Sequence, residues 1–251
     1  MDVHRRNHLG MIREICVQST ASALLAEQYG GDRLELCTAL EVGGITPSYG
    51  LMRSVANQVK LPIHVLIRPR IGNFCYTKEE VSVMRRDIIR FLKQGAQGIV
   101  IGALTPGFEL DLEVIGQLIV TAKNQNSDVH ITVHRAFDWV HNPMKALDQL
   151  QELGVDTLLS SGQAISAEKG IELLRKMNQK CGEALTVMPG AGITGSNQIL
   201  FKHSGFRAIH ASASSLIQDK LPSKSVIFEK TQHSGQRLEI DLQKLKDLLE
   251  K

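Results

Sequence analysis

Residues 131–138 read ITVHRAFD, a stretch that begins with the pattern of a strand and ends in clustered polar groups. Ile131 and Val133 alternate with polar neighbours, which is the period of a strand with one buried face. His134, Arg135 and Asp138 then crowd together where this strand should end. An apolar strand that leads into such a cluster is typical of a binding or catalytic edge of a sheet. The alternative is a local Arg–Asp pair that fixes a loop.

Strand patterns recur from one end of the chain to the other and alternate with helix patterns. The predicted strands cover residues 12–17, 34–37, 63–68, 98–101, 130–134, 157–160, 185–188 and 207–210. Such alternation predicts a parallel sheet with helices packed outside it. Eight strand–helix units in 251 residues predict an α/β fold, a single (β/α)8 TIM-type barrel with parallel strands. An open doubly wound sheet is the alternative, but the turn after the first strand lacks a glycine-rich phosphate loop.

The chain is expected to form one domain over residues 11–251. Residues 1–10 are polar and are predicted to be an N-terminal extension outside the fold. Residues 221–235 form a poorly patterned connection before a final predicted helix over 240–250. Four N-cap residues are predicted to start helices: Ser19, Ser48, Thr77 and Asn142.

Composition argues against several classes of partner. The formal net charge is only +3 and 4% of the residues are aromatic, so nucleic acid is not an expected partner. No apolar run is long enough to predict a membrane span. The four cysteines are scattered without short-spaced pairs, which predicts free thiols in a cytoplasmic protein rather than disulfides.

Alternation along each strand predicts an unusually polar barrel interior. The apolar residues face the helices, so their neighbours face inward. Buried charges must be paired, and we expect Arg68 to be the counter-ion of Glu14 and Glu35, with His64 on the same face. A purely structural network of Glu14, Glu35 and His64 is the alternative. The predicted inward set is Glu14, Cys16, Glu35, Cys37, His64, Arg68, His134, Met188 and His210.

Two cysteines are candidate metal ligands. Cys16 and Cys37 take matching positions near the ends of neighbouring predicted strands, which run about 4.8 Å apart. Two thiolates on one metal lie at most about 4.6 Å apart, so this spacing permits a shared ion. Thiolate and thioether ligands select Cu(I), and Met188 is a third ligand if it reaches the ion. The alternative is that both cysteines are small buried core residues.

A second candidate chemistry is acid–base catalysis on a small anionic molecule. Arg68 and Arg135 are candidate anion-binding residues, and His134, His210 or Arg68 are candidate catalytic residues. The turn at 188–192, MPGAG, follows the seventh predicted strand, where barrels often bind phosphate through backbone N–H groups. Gly190 and Gly192 of this turn are therefore further anion-binding candidates, unless they serve only the turn.

Seven short motifs occur together in one order. They are ELC at 35–37, GGITPS at 43–48, IRPR at 67–70, TVHRAFD at 132–138, SSG at 160–162, MPGAGI at 188–193 and HASA at 210–213. In this order and spacing the chain resembles the CutC copper homeostasis family over about residues 12–214. The resemblance implies a (β/α)8 barrel, a cytoplasmic location, homo-oligomers and Cu(I) binding through Cys16 and Cys37.

Three functional hypotheses follow. The leading one is a cytosolic copper homeostasis barrel that binds and handles Cu(I), with copper as its cofactor or cargo. The alternative is a barrel enzyme acting by acid–base chemistry on a small carboxylated or phosphorylated molecule at the C-terminal rim. The third is an interaction protein that uses the barrel surface.

Overall fold

The structure, a computed structural model, describes residues 10–220 and 236–249. Eight short strands alternate with helices, as the sequence predicts. The barrel strands are β1 (Ile12–Val17), β2 (Arg33–Leu36), β3 (Ile63–Leu66), β4 (Gly98–Ile101), β5 (His130–Val133), β6 (Thr157–Ser160), β7 (Thr186–Pro189) and β8 (Ala208–Ala211). Residues 1–9 of the predicted extension and the predicted connection 221–235 lie outside the described residues.

The sheet order identifies a barrel. Strands β1 to β7 pair with their chain neighbours, and β8 pairs in parallel with β1, where Glu14 lies opposite His210. First and last strands therefore meet, which excludes the reversed strand order of a doubly wound sheet. β7 and β8 lie side by side, although no regular ladder joins them in the described chain. Arg207 bridges their starts by donating to the carbonyl oxygen of Leu185 at 3.3 Å.

Four of the helices begin at the N-cap residues that the sequence predicts, whereas the helix expected from Ser166 begins only at Ile171. Ser19, Ser48, Thr77 and Asn142 each accept a hydrogen bond from the first turn of a helix, and Glu80 completes a capping box with Thr77. The helices are α1 (Thr20–Gln28), α2 (Tyr49–Ala56), α3 (Lys78–Leu92), α4 (Leu112–Lys123), α5 (Pro143–Glu152), α6 (Ile171–Cys181), α7 (Gln198–His203) and α8 (Leu242–Leu249). None of these helices combines the length and apolar character that a bilayer crossing requires.

An antiparallel hairpin that the sequence does not predict follows the barrel. It pairs β9 (Ser214–Gln218) with β10 (Gln236–Ile240). The predicted last helix therefore begins at Leu242 instead of Ile240. The hairpin lies against the loop after β2, because Gln18 donates to the Leu238 carbonyl and also accepts from the Leu40 N–H. It thus covers part of the C-terminal rim.

Apolar packing divides into an outer layer and two smaller inner clusters. The outer layer lies between strands and helices and includes Ile15, Leu34 and Ile131. Inside the barrel, one cluster joins Cys16 and Cys37 to Leu66 and Val100. A separate cluster joins Leu159, Met188 and Ala208. The predicted inward and outward faces are therefore correct.

Candidate functional site

A cavity of about 580 Å³ opens at the C-terminal ends of the strands. The loop after β7, the hairpin and α8 form its outer wall, with Thr194, Leu238 and Lys244 among the lining residues. Seven predicted site residues also line it: Cys16, Glu35, Arg68, His134, Arg135, Gly192 and His210. The position at the C-terminal face is where barrels of this kind carry their functional sites.

The two inner cysteines form a close thiol pair. Their Sγ atoms lie 3.5 Å apart, and both residues are free and buried. The sequence suggested that the two cysteines occupy matching positions on neighbouring strands. This is wrong, because Cys16 lies opposite Glu35 in the ladder. The pair forms instead on the diagonal between β1 and the residue after β2. Cys16 borders the cavity, whereas Cys37 lies beneath Gly44, where an added Cβ would be 3.5 Å from the Cys37 Sγ.

Glu14 is the centre of the buried ionic network. It is fully buried and accepts from Arg33 at 2.6 Å, while Oε1 lies 2.8 Å from His210 Nδ1. His64 Nδ1 is more distant, at 3.8 Å from Oε2. Burial alone would raise the pKa of Glu14, but Arg33 and His210 outweigh it and hold the pKa well below its usual range. The counter-ion of Glu14 is therefore Arg33, not Arg68 as predicted.

Glu35 lies between the thiol pair and this network. Its Oε1 is 3.6 Å from the Cys16 Sγ, and its buried Oε2 has no hydrogen-bond partner in the described part of the chain. Burial raises the pKa of Glu35. Burial would lower the pKa of His210, but the carboxylates of Glu35 and Glu14 raise it above its ordinary value. Potential ligand atoms of Cys16, Glu35 and His210 all lie within 4.8 Å of one another.

Met188 lies apart from the thiol pair. It belongs to the other inner cluster, and its Sδ is 3.6 Å from Arg33 Nη2. Parity along β7 correctly turns this side chain inward, but the tilt of the strands places it in another layer. The structure therefore offers Glu35 and His210, rather than Met188, as additional donors beside Cys16.

Arg68 is held by backbone carbonyls. Its Nη1 donates to Val42 and Gly44 at 3.0 and 2.9 Å, and its Nη2 donates to Gly72 at 3.1 Å. Its buried Nε has no partner among the described residues. The sequence correctly places Arg68 at the rim, but its main contacts organise two loops.

His134 ends β5 and lies at the cavity wall. Its Nδ1 accepts from the Ala136 N–H at 3.1 Å, whereas its buried Nε2 has no partner in the described residues. Burial, reinforced by the charge of Arg68, lowers the pKa of His134 to about 3. The imidazole is therefore neutral and carries its proton on Nε2. Gly102 makes room for the ring, since a Cβ there would lie 2.5 Å from His134 Cε1.

Arg135 and Asp138 form an ion pair that fixes the loop after β5, which was the alternative interpretation of residues 131–138. Arg135 Nε lies 2.8 Å from Asp138 Oδ2. Asp138 also accepts from the hydroxyls of Ser160 and Ser161 and from the Ser161 N–H. Arg135 still borders the cavity, with its side chain 45% exposed. It remains available for electrostatic attraction of an anion.

The two glycines after β7 have different environments. Gly192 lines the cavity and has a positive φ of 74°. Gly190 is tightly packed instead, because a Cβ there would lie 2.5 Å from Leu159 Cδ1. Close packing against Leu159 explains why residue 190 is glycine, and an open backbone site for an anion does not.

Sequence reasoning missed Arg33 and Phe74. Arg33 precedes outward-facing Leu34, so extending β2 by one residue would have turned it inward beside Glu14. Phe74 lies in the loop after β3, where no periodicity positions a side chain. Its ring centroid is 5.1 Å from that of His134 and 5.0 Å from Arg68 Cζ.

The fold and the rim define a (β/α)8 barrel with a thiol pair and an ionic network in its interior. A model of the CutC family matches residues 11–215. The chain is 44% identical over 200 residues to a CutC family protein of Proteus mirabilis, covering 80% of this chain and 78% of the relative. It is 42% identical over 207 residues to the copper homeostasis protein cutC homolog of Homo sapiens, covering 82% and 74% of the two chains.

A solved structure gives the same assignment. A CutC structure from Streptococcus agalactiae superposes with a TM-score of 0.75 at 28% identity and covers 80% of this chain and 98% of that one. The protein belongs to the CutC copper homeostasis family.

Proposed function

We propose that the protein binds and handles Cu(I) through Cys16 and Cys37. The observation that carries this proposal is the 3.5 Å separation of two free, buried Sγ atoms. If a metal bound both sulfurs at about 2.3 Å, the S–metal–S angle would be about 100°. This angle leaves room for a further ligand. Soft thiolates favour Cu(I) over harder ions. The copper homeostasis role in the names of relatives supports the same ion.

The neighbours of Cys16 suggest how copper would enter and be held. Cys16 borders the cavity, so it is the first thiol that an entering ion would meet. Its hydrogen bond with Cys37, together with burial, raises the pKa of the Cys16 thiol well above its ordinary value. The Cys16 thiol is therefore protonated before binding, and coordination as a thiolate releases its proton. His210 or Glu35 would supply a third ligand.

The proposal extends to location and assembly. A cytoplasmic location is supported by the four free cysteines, which a reducing compartment would preserve. A homo-oligomer is proposed from the family resemblance alone.

Anaerobic Cu(I) titration against a chromogenic chelator tests the copper proposal. The double variant Cys16→Ser, Cys37→Ser should lose at least about a hundredfold in affinity, because the two softest ligands are removed. The matched control is Cys75→Ser, Cys181→Ser, which should retain wild-type affinity. Equal Cu(I) affinity in wild type and the Cys16/Cys37 double variant would refute the site.

A second candidate function is acid–base chemistry on a small anion in the rim cavity. It is favoured by Glu35 and His210, which both line the cavity and have pKa values raised from their ordinary values. A protonated Glu35 or His210 would donate a proton to a bound anion. Of the variants Glu35→Gln and His210→Gln, the one that removes the donor would abolish turnover of a substrate while leaving its binding measurable. Full turnover in both variants would exclude this mechanism.

A further inference from the structure

Two buried hydrogen-bond donors at the rim find no acceptor among residues 10–220 and 236–249. Arg68 Nε and His134 Nε2 are both without a partner in the described residues, and the two residues are only 7% and 6% exposed. Buried polar groups are nearly always paired, so an orphan donor needs an explanation. Here two occur together, since the charge of Arg68 acts directly on His134 and both residues line the cavity.

Phe74 lies against both side chains. Its ring centroid is 5.0 Å from Arg68 Cζ and 5.1 Å from the His134 ring centroid. The Phe74 ring also contacts Trp139, with ring centroids 5.1 Å apart. An aromatic ring attracts a cation through its face, but it offers no lone pair to an N–H donor. Phe74 therefore covers the donors without satisfying them.

The scaffold holds the two donors rigidly. The other nitrogens of Arg68 are fixed by three backbone carbonyls, and no carboxylate forms an ion pair with this guanidinium in the described part of the chain. His134 is fixed through its Nδ1 and by close packing on Gly102. Within the part of the chain that the structure describes, each side chain thus has one N–H without an acceptor, while the rest of the side chain is anchored. This is the preorganisation expected of a binding site rather than of a loose loop.

We infer that Arg68 and His134 form a carboxylate-binding subsite of the rim cavity, covered by Phe74. One N–H from each residue would donate to the two oxygens of a carboxylate. The charges also match, because Arg68 supplies one positive charge and His134 is neutral, so a monoanion is balanced and a phosphate dianion is not. This inference rests on the second proposed function and names its substrate class as small carboxylated molecules.

The test is a titration of the full chain with sodium acetate, with sodium chloride at equal ionic strength as reference. The signal is the Nε2 resonance of His134 in long-range ¹H–¹⁵N spectra. We expect a saturable shift. This resonance locates the site in the wild type, and isothermal titration calorimetry gives the acetate affinity of every variant. His134→Asn keeps an acceptor for the Ala136 N–H and removes the Nε2–H, so its calorimetric affinity for acetate should fall about tenfold. His203→Asn, on an exposed position of α7, is the matched control and should bind acetate as the wild type does.

Two further measurements test the class of ligand and the role of Phe74 as a cover. Inorganic phosphate should bind more weakly than acetate, and tighter phosphate binding would overturn the carboxylate assignment. Phe74→Ala should strengthen acetate binding several-fold, because the competing contact with Arg68 is lost. Weaker acetate binding in Phe74→Ala would overturn the covering role.

The outcomes also distinguish this subsite from the function on which it rests. Acetate-dependent shifts at His210 without any at His134 would overturn the donor pair and leave the rim cavity as an anion site. No shift at either histidine with acetate or phosphate would overturn both. Copper binding is independent, since His134→Asn leaves Cys16 and Cys37 in place and should not change Cu(I) affinity.

Discussion

Cys16 and Cys37 hold their Sγ atoms 3.5 Å apart even though Cys16 lies opposite Glu35 in the ladder. The pair arises because the residue that follows β2 donates its N–H to Val17 and so continues the strand by one position. Both thiols then face the barrel interior beside Leu66 and Val100. An apolar pocket of this kind excludes water from a bound ion and strengthens its interaction with the thiolates.

The first prediction concerns the buried pair of Arg33 and Glu14. Arg33→Met should lower the free energy of unfolding by about 3–5 kcal/mol, because it leaves a fully buried carboxylate without its nearest cation. Glu14→Gln combined with Arg33→Met should recover part of this loss. Urea unfolding followed by circular dichroism measures both.

Arg135→Met is the control for this experiment. Its ion pair with Asp138 is partly exposed, so the change should cost no more than about 1 kcal/mol. If Arg33→Met cost as little as Arg135→Met, Arg33 would not be the counter-ion that stabilises Glu14.

The second prediction concerns acid pH and three histidines of the barrel, of which His64 and His134 are buried and His130 is half-buried. Burial and the charge of Arg33 hold the pKa of His64 well below its ordinary value and lower that of His130 to about 4, while the pKa of His134 is about 3. In the unfolded chain these residues take up protons near pH 6.5. Their contribution is therefore complete above pH 6.5 and is lost as pH falls towards about 4, by about 1.4 kcal/mol per histidine per pH unit.

His210 does not offset this loss. Its folded-state pKa is raised, so its contribution is complete below about pH 6.5 and is lost only as pH rises through the folded value. Urea unfolding should show a markedly lower free energy of unfolding at pH 5 than at pH 7. His134→Asn should reduce the dependence of this free energy on pH by the equivalent of about one proton. Equal stability at the two pH values would contradict the neutral state of these histidines.

The third prediction concerns the space that glycine leaves beside His134. Gly102→Ala would put a Cβ 2.5 Å from His134 Cε1, so the imidazole must move. We expect a loss of about 1–3 kcal/mol in the free energy of unfolding. The matched control is Gly116→Ala in α4, whose Cβ would meet only Leu153 Cδ2 at 4.0 Å.

Gly116→Ala should increase stability by about 0.5–1 kcal/mol, because alanine favours the helix. Thermal unfolding of the two variants separates the outcomes. A Gly102→Ala protein as stable as the wild type would mean that the His134 ring is free to relocate.

Local sequence signals predicted most of the fold, and the geometry between strands explains what they missed. The N-caps at Ser19 and Thr77 depend only on neighbouring residues, so they could be predicted from the sequence. Alternation along β7 correctly placed the Met188 side chain inside the barrel. Its height along the barrel axis depends on the tilt of the strands, which the sequence of one strand does not reveal. Arg33 was missed because the strand begins one residue earlier than its apolar pattern. The β9–β10 hairpin escaped prediction because its two short strands, which have no fully buried residue, lack a regular apolar face.

Anomalous diffraction at the copper edge, from crystals loaded anaerobically with Cu(I), shows directly where copper binds. We expect one strong peak about 2.3 Å from the Sγ atoms of both Cys16 and Cys37, with a third ligand from Glu35 or His210. The peak should vanish in the Cys16→Ser, Cys37→Ser variant. Copper bound elsewhere, at Cys75 or Cys181 or at surface histidines, with the thiol pair left empty, would contradict it.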